Sequence, residues 1–222
     1  MQAYGPAFAR VYNEKWVDFA RHVAPLIRAF YESTPLGARV KSLLDVCCGT
    51  GQLAQHFLEQ GYRVTGIDLS PSMLHYACQN NASSVEAGQA RFLQADAADF
   101  TLDEQFGLAV STFDALNHLP DGEALRGCFA SVFPLLLPDG LFIFDLNTRA
   151  GLTCWNGINV REMPDHLIID RGIYDKESDR AWVKITGFIR TEGGLYERFE
   201  ETAYNTAYDL DWVRDELYRA GW

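Results

Sequence analysis

The hydrophobic pattern of the chain changes twice, and each pattern predicts a different kind of structure. Between Pro6 and Tyr31, large apolar side chains recur at spacings of three and four, which predicts a helix or helix pair with one apolar face. From Lys41 to Leu146, short apolar runs alternate with helical patterns, which is typical of a parallel sheet covered on both faces. Beyond about Val160, apolar and polar residues alternate, which predicts antiparallel strands.

Five apolar runs predict the strands of the parallel sheet. They cover Lys41–Val46, Tyr62–Ile67, Ala90–Ala95, Phe106–Ser111 and Leu141–Leu146. Three later runs predict a three-stranded antiparallel piece over His166–Tyr174, Arg180–Thr191 and Leu195–Tyr208. A last helix is expected from about Leu210 to Ala220. The predicted fold class is therefore α/β, a doubly wound, mostly parallel sheet with an antiparallel insertion after its fifth strand.

Composition and charge narrow the possible partners. The 222 residues include 19 Lys plus Arg against 30 Asp plus Glu, and the formal charge of −11 repels a polyanion, so no nucleic acid is expected. No apolar run approaches the roughly 20 residues that span a membrane, and the first residues do not resemble a signal peptide. Five cysteines without C-x-x-C spacing favour free thiols over disulfides or zinc, and hence a cytoplasmic protein without a metal.

Candidate chemistry lies where the predicted parallel strands end. Three successive strands finish in the acids Asp45, Asp68 and Asp96, and the glycine turn Gly49–Gly51 follows the first. Glycines admit a ligand close to the backbone, and the following helix N-terminus offers unpaired N–H groups. Right-handed crossovers place neighbouring strand ends side by side, and the two oxygens of Asp68 suit the two hydroxyls of a ribose.

The sequence of the glycine turn is compatible with two protein families. Gly49–Ala54 fits the G-x-G-x-x-A dinucleotide pattern, with Asp68 seventeen residues after Gly51. The longer string Leu44–Gly51, Leu-Asp-Val-Cys-Cys-Gly-Thr-Gly, resembles motif I of the class I S-adenosylmethionine-dependent methyltransferases.

Two further strings strengthen the second resemblance. Val64–Leu74 and Leu93–Ala97 are similar to the second and third motifs of that family, in the same order, so the resemblance covers roughly Leu43–Asn147. It implies a Rossmann-like fold and transfer of a methyl group from S-adenosyl-L-methionine to a small molecule, with S-adenosyl-L-homocysteine as the product.

The resemblance also implies roles for individual residues at the cofactor. Asp45 and the Gly49 backbone would hold the methionine moiety, and Asp68 the ribose. Leu69 and Met73 would line the adenine. Asp96 would accept a hydrogen bond from the adenine amino group, and the Ala97 N–H would reach a ring nitrogen. Thr112 and Phe113 would face the sulfonium and its methyl.

Cys47 departs from the family pattern, because it stands where the family usually has its first glycine. A cysteine fits there only if its backbone keeps an ordinary φ angle. We therefore expect the approach of the cofactor to depend on Gly49 and Gly51, with Cys47 beside them.

The acceptor side is less sharply predicted. A general base is needed only if the acceptor arrives protonated, and His118 and Asp114 are the candidates, with Asn147 grouped beside them; for His118 a packing or capping role is the alternative. The expected substrate-contacting residues come from the N-terminal helix, a loop above the sheet and the antiparallel piece; they are Tyr12, Trp16, Asn117, Tyr174 and Arg198.

The predicted organisation is a single methyltransferase domain over 1–222. It comprises a helical lid (1–38), a cofactor-binding core (39–150), an acceptor-side insertion (157–208) and a final helix (209–222). Similar methyltransferases have two more strands after this helix, so we expect either a truncated sequence or an open sheet edge at which two molecules pair, giving a monomer or a homodimer.

Other functions stay open from the sequence. An NAD-dependent oxidoreductase and a non-catalytic S-adenosylmethionine-binding protein are the alternatives, and the residues do not reveal whether nitrogen, oxygen, sulfur or carbon receives the methyl.

Overall fold

A five-stranded parallel sheet forms the centre of the structure, a computed structural model that describes residues 4–222. Its strands are β1 (Ser42–Val46), β2 (Arg63–Asp68), β3 (Ala90–Gln94), β4 (Phe106–Ser111) and β5 (Leu136–Phe144). The order is β3-β2-β1-β4-β5, and every neighbouring pair is parallel. The chain winds outward in both directions from the middle of the sheet, so the carboxyl ends of β1 and β4 form the switch point where such sheets bind ligands. The predicted Rossmann-like fold is confirmed.

Helices cover both faces of this sheet. The α-helices of the described residues are α1 (Pro6–Lys15), α2 (Asp18–Glu32), α3 (Gln52–Glu59), α4 (Pro71–Asn80), α5 (Ala82–Glu86), α6 (Gly122–Val132), α7 (Arg149–Leu152) and α8 (Leu210–Ala220). Consecutive side chains of a strand point to opposite faces. Leu43 accordingly packs with α2 and α3, whereas Leu44 packs with the cluster that contains residues of α6 and α8. No helix in the described part of the chain is long and apolar enough to cross a membrane.

The fifth strand begins earlier than expected. The sequence predicts a turn at Pro138–Gly140 before the strand, but β5 starts at Leu136 and contains that segment as an irregularity. Phe106 pairs with Leu136 and Leu108 with Leu141, so the register shifts between them. A short bulge accommodates a turn-like sequence without ending the strand.

The antiparallel piece has four strands, one more than predicted. They are β6 (Gly157–Met163), β7 (His166–Asp175), β8 (Arg180–Arg190) and β9 (Tyr196–Thr206), paired in that order. Every residue of β6 is exposed. Only Ile158 and Val160 follow the apolar alternation in β6 before Arg161 and Glu162 interrupt it, so the sequence signal is shorter there than in the other three strands.

The N-terminal segment forms two helices with different neighbours. From α1, Phe8 and Val11 pack with Met73 of α4 and with Ile185 and Phe199 of the antiparallel sheet. Helix α2 instead packs on the central sheet. Only α1 therefore lies between the two sheets.

Candidate active site

A cavity of about 300 Å³ lies at the carboxyl ends of β1, β2 and β4, within the usual size range of small-molecule sites. We call its side on the central domain the core wall; it consists of Cys47, Gly49, Asp68, Leu69, Ser70, Met73, Ala97, Thr112, Phe113, Asp114, Ala115 and His118. We call the opposite side the roof; it consists of Tyr4, Phe8, Tyr12, Trp16, Trp155, Val183, Ile185, Thr202, Ala203 and Tyr204. The cavity thus occupies the switch point predicted for a ligand.

The two glycines of the turn have different roles. Gly49 has φ +55° and lines the cavity, and a Cβ placed on it would stand 3.7 Å from the ring of Tyr12. Gly51, with φ +77°, faces α4 instead: a Cβ there would lie 2.8 Å from Asn81 Nδ2 and 3.1 Å from Ala77 Cα. Gly51 therefore makes room for helix packing, and Gly49 makes room at the cavity.

The expectation for the Cys47 backbone was wrong. Cys47 has φ +61°, in the left-handed region that disfavours a residue with a Cβ, at a cost of roughly 1–2 kcal/mol. Burial raises the pKa of its thiol, so the side chain is a neutral, apolar surface of the core wall. The position that usually holds a glycine keeps glycine-like geometry here despite the substitution.

Asp68 is fixed by the glycine turn. Its Oδ2 accepts the Gly49 N–H at 2.9 Å, and its Oδ1 accepts the Ser70 N–H at 2.8 Å. Burial raises its pKa, while these backbone N–H groups act in the opposite direction. The carboxylate is thus held at one orientation with lone pairs left for a ligand in the cavity.

Asp45 faces a small side pocket of about 30 Å³ next to the cavity. It is 3% exposed, and its Oδ2 has no hydrogen-bond partner among residues 4–222. Burial, and secondarily the charge of Asp68, raises its pKa to about 8. A buried carboxylate without a partner is costly, and a pocket of this size holds one small polar group, so the arrangement suits a ligand ammonium.

Three of the four residues expected at the adenine belong to the core wall, and Asp96 does not. Leu69, Met73 and Ala97 line the cavity. Asp96, immediately before Ala97, uses Oδ1 to accept the Ala98 N–H at 2.9 Å and shapes that turn.

A strained pair of residues follows β4. Phe113 and Asp114 have φ angles of +66° and +49°, and neither is glycine. The Asp114 N–H donates to Asp145 Oδ2 at 2.8 Å, and the Phe113 ring stacks on Phe19 with centroids 4.7 Å apart. Such conformations cost roughly 1–3 kcal/mol each and concentrate at functional sites. Here the strain aims both side chains into the cavity.

Asp114, His118 and Tyr4 form a cluster of titratable side chains. His118 Nε2 lies 4.0 Å from Asp114 Oδ2 and 3.4 Å from the Tyr4 hydroxyl. Burial, reinforced by the Asp145 charge, raises the pKa of Asp114 to about 7. Burial lowers the pKa of His118 to about 4, so the imidazole is neutral at physiological pH. Both predicted candidate bases are therefore at the cavity, in forms that are able to accept a proton.

Asn117 and Asn147 occupy a different position from the one expected. Asn117 is fully buried, and its side chain donates to Asn147 O at 3.1 Å and Thr206 O at 2.8 Å and accepts the Asn147 N–H. The Asn147 side chain donates to Asn205 Oδ1 at 2.9 Å and hydrogen-bonds Asp114. Asn117 therefore joins the two sheets, and Asn147 supports Asp114 from behind.

Tyr174 and Arg198 lie away from the cavity. The Tyr174 ring packs with Leu152 and Ala181 in a separate cluster, and its hydroxyl donates to Asp179. The exposed Arg198 pairs with Glu200 at 2.6 Å. The predicted contribution of the antiparallel sheet is made instead by other residues; on β8 and β9 these are Val183, Ile185, Thr202, Ala203 and Tyr204.

The roof helix α1 is attached to both sides of the cavity. On the core side, Asn13 Oδ1 accepts from Gln52 Nε2 at 2.9 Å and from Asn80 Nδ2 at 2.7 Å. On the side of the antiparallel sheet, Lys15 pairs with Asp165 at 2.8 Å, and Arg10 pairs with Glu197 at the same distance. The predicted Tyr12 lies on this helix and Trp16 is its C-cap residue; both line the cavity, with Trp16 under Arg161 of β6.

Comparison with known proteins agrees with this geometry. Residues 43–140 match the sequence profile of a methyltransferase domain. YqeM of Bacillus subtilis, a protein named as a methyltransferase, is 31% identical over 81% of this chain and 72% of its own length. The dTDP-3-amino-3,6-dideoxy-alpha-D-glucopyranose N,N-dimethyltransferase of Streptomyces fradiae is 30% identical over 61% of this chain and 49% of its own.

The fold comparison gives the same result. The crystal structure of an S-adenosylmethionine-dependent methyltransferase from Clostridium acetobutylicum superimposes with a TM-score of 0.77 at 23% identity, covering 96% of this chain and 86% of that one. The proteins compared here are all methyltransferases, and none supports the alternative of an oxidoreductase. The profile match, the extended similarity to YqeM and the shared fold show that this chain belongs to the class I S-adenosylmethionine-dependent methyltransferases.

Proposed function

We propose that S-adenosyl-L-methionine binds along the core wall and that a small-molecule acceptor binds beneath the roof. The observation that carries this assignment is Asp45, a buried carboxylate with an unpartnered oxygen in a side pocket beside the glycine turn. The methionine ammonium of the cofactor is a cation of the size and charge that this pocket requires.

The other cofactor contacts follow from that anchor. The Gly49 backbone lies next to the methionine moiety, and Asp68, already oriented by two backbone N–H groups, accepts from the ribose hydroxyls. Leu69 and Met73 provide the apolar surface for the adenine, with Asp96 and the Ala97 N–H at its edge. Cys47, Thr112 and Phe113 then surround the sulfonium end.

S-adenosylmethionine supplies a methyl group already activated by its positive sulfur. The protein therefore contributes alignment and exclusion of water, which together account for up to ~7–11 kcal/mol in favourable cases. The strained Phe113–Asp114 segment places a ring and a carboxylate at this point, and the aromatic roof closes above it.

Asp114 and His118 handle the proton of the acceptor. Asp114 is partly ionised near neutral pH because its pKa is about 7, and His118 is neutral there. Asn147 holds Asp114 in place.

The acceptor is a compact small molecule, because it shares one cavity with the cofactor. The Streptomyces fradiae relative acts on an amino sugar attached to a nucleotide, which is also a small molecule. The free state of all five cysteines supports a cytoplasmic location, and the charge of −11 argues against nucleic acid as a partner. The oligomeric state that we propose is a monomer or a homodimer.

Calorimetric titration with S-adenosylhomocysteine tests the cofactor site. We expect micromolar or tighter binding, weakened at least 10-fold by Asp45→Asn and unchanged by the control Asp103→Asn, an exposed acid elsewhere on the domain. Tighter binding of NAD than of S-adenosylhomocysteine, or equal binding by both variants, would contradict the assignment.

A further inference from the structure

The cavity contains acidic groups, and its one basic side chain in the described part of the chain is His118, which is neutral at physiological pH. None of the lining residues described between positions 4 and 222 is a lysine or an arginine. Asp68 and Asp114 line the cavity, and the Asp145 carboxylate lies behind Asp114 and adds negative charge. Asp45 lines the side pocket, where it is assigned to the cofactor ammonium. Asp145 Oδ1 is itself buried without a hydrogen-bond partner in that part of the chain. The electrostatic field in the cavity therefore favours a cation and opposes an anion.

Two tyrosines of the roof show how this field acts on a hydroxyl group. Burial raises the pKa of the Tyr4 phenol, and the charges of Asp114 and Asp68 raise it further. The Tyr12 phenol is shifted in the same direction by burial and by the same two acids. An acceptor phenol or alcohol bound between these rings would meet the same surroundings, and loss of its proton would be opposed in the same way.

We propose that the methyl acceptor of this enzyme is an amine that carries no phosphate or carboxylate group, and that its nitrogen receives the methyl. The proposal rests on the proposed function of the cavity and adds to it the identity of the acceptor atom and the charge of the acceptor.

The chemistry of an amine fits the groups at the cavity. An amine that enters as an ammonium pairs with the Asp114 carboxylate, which takes up one proton and leaves a neutral nitrogen with a free electron pair. That pair forms the new nitrogen–carbon bond while the sulfur–carbon bond breaks and its electrons return to sulfur. The product is a methylated ammonium and a neutral thioether, and the proton on Asp114 is released to water. Positive charge is present on the acceptor before and after the transfer, where the acids stabilise it.

An oxygen acceptor would develop negative charge where the amine carries positive charge. Removing its proton before transfer places a negative charge among Asp68, Asp114 and Asp145, where no described basic side chain compensates it. A phosphate or carboxylate elsewhere on the acceptor meets the same obstacle, because these groups are normally bound by Arg, Lys or a helix N-terminus. We therefore expect this enzyme not to accept the nucleotide-linked sugars on which its Streptomyces relative acts.

The roof indicates what else the amine carries. Apart from Thr202, the roof residues are aromatic or aliphatic, and Phe8, Trp16, Val183 and Ile185 present apolar surface to the cavity. An apolar body attached to the amine would pack there.

The test does not require the acceptor to be known. A protein-free, low-molecular-weight extract of a bacterial culture is separated by ion exchange into cationic, neutral and anionic fractions, and each is incubated with enzyme and methyl-labelled S-adenosylmethionine. We expect label in products of the cationic fraction that bind a cation exchanger, at least 10-fold above the other two fractions. Label mainly in neutral or anionic products would overturn the proposal and leave methyl transfer intact. Absence of label from every fraction contradicts the proposal, and the S-adenosylhomocysteine titration then shows whether the cofactor site fails as well.

Asp114→Asn supplies a second test on the labelled amine. At pH 7 we expect a loss of at least 10-fold in kcat/KM, which recovers as the pH approaches the pKa of the free amine, because the nucleophile then arrives deprotonated. Asp103→Asn serves as the matched control. A loss that is the same at every pH would overturn the role of Asp114 as proton acceptor, whereas unchanged binding of S-adenosylhomocysteine by Asp114→Asn would show that the variant folds.

Discussion

The core wall and the roof of the cavity face each other but are built in different ways. The core wall comes from loops that leave adjacent strands of one parallel sheet, and its key groups are held by backbone contacts, as in the bonds from Gly49 and Ser70 to Asp68. The roof combines α1 with strands of a second sheet and is held by side-chain contacts such as Lys15–Asp165. The difference indicates that the cofactor surface is rigid and depends on the fold, whereas substitutions in the acceptor surface leave the fold and the cofactor surface intact.

The largest effect is expected in the glycine turn that connects β1 to α3. Gly51→Ala puts a methyl 2.8 Å from Asn81 Nδ2 and 3.1 Å from Ala77 Cα, in a left-handed backbone. Strain and overpacking together should lower the free energy of unfolding by about 3 kcal/mol and Tm by about 10 °C. Gly61→Ala is the matched control, because it has φ +80° but nothing within 4 Å, and it should lose about a third of that. Equal losses in thermal melts would show that packing against α4 does not matter.

The next effect is on cofactor affinity. Asp68→Ala removes the carboxylate that orients the Gly49 and Ser70 N–H groups and that faces the ribose. Charged hydrogen bonds of this kind contribute about 1.5–3 kcal/mol, so S-adenosylhomocysteine should bind roughly 10- to 100-fold more weakly in calorimetry. If affinity stays within a factor of two, the core wall does not depend on Asp68 as argued.

A change of one pH unit is expected to have a smaller effect. The folded-state pKa of Asp45 is about 8, above its ordinary value of 3.8, so the folded protein binds a proton that the unfolded chain has lost between these values. Without cofactor, stability should therefore fall as pH rises from about 4 to 8, by at most ~1.4 kcal/mol per pH unit from this group. Urea melts should show this slope reduced in Asp45→Asn. Because the cofactor ammonium stabilises the carboxylate, stabilisation by S-adenosylhomocysteine should be greater at pH 8 than at pH 6; a constant value would argue against the pairing.

The smallest effect is expected in the roof. Lys15→Met breaks a partly exposed ion pair, which contributes less than about 1 kcal/mol, so Tm should change by no more than about 4 °C. The KM of the acceptor should rise a few-fold, while affinity for S-adenosylhomocysteine stays the same. Arg21→Met, which disturbs a pair on α2 outside the roof, should leave both constants unchanged. A loss of cofactor affinity in Lys15→Met would mean that the two sides are not independent.

The same contrast explains how much the sequence predicted. The sequence predicts Asp45, Asp68 and Asp96 at neighbouring strand ends, because strand order in a parallel sheet brings strand ends together. Asp68 lines the cavity and Asp45 its side pocket, whereas Asp96 is not among the described lining residues and binds the Ala98 N–H. The roof depends on the register of β8 and β9 and on where that sheet docks, which no local pattern encodes. Residue type alone predicts Tyr174 and Arg198 at the acceptor, but these side chains bind Asp179 and Glu200 instead.

Two errors had a more local cause. Cys47 was expected in an ordinary conformation because propensity disfavours a left-handed cysteine, yet the surrounding turn imposes φ +61°. Asn117 was placed at the acceptor because it sits in a connecting loop, but its amide satisfies backbone groups of two chain segments that are distant in sequence. Long-range hydrogen bonds of this kind leave no periodic signal.

The double attachment of α1 has a consequence for timing. This helix lies over both ligand positions and is bonded to the core through Asn13 and to the antiparallel sheet through Arg10 and Lys15. We expect release of the products past α1 to require that one of these sets of contacts breaks, so that each catalytic cycle includes an opening and a closing of the helix. In enzymes with such closures, product release often limits turnover. We therefore expect the movement of α1 to be the rate-limiting step of turnover, and the steady-state rate should decrease as solvent viscosity rises.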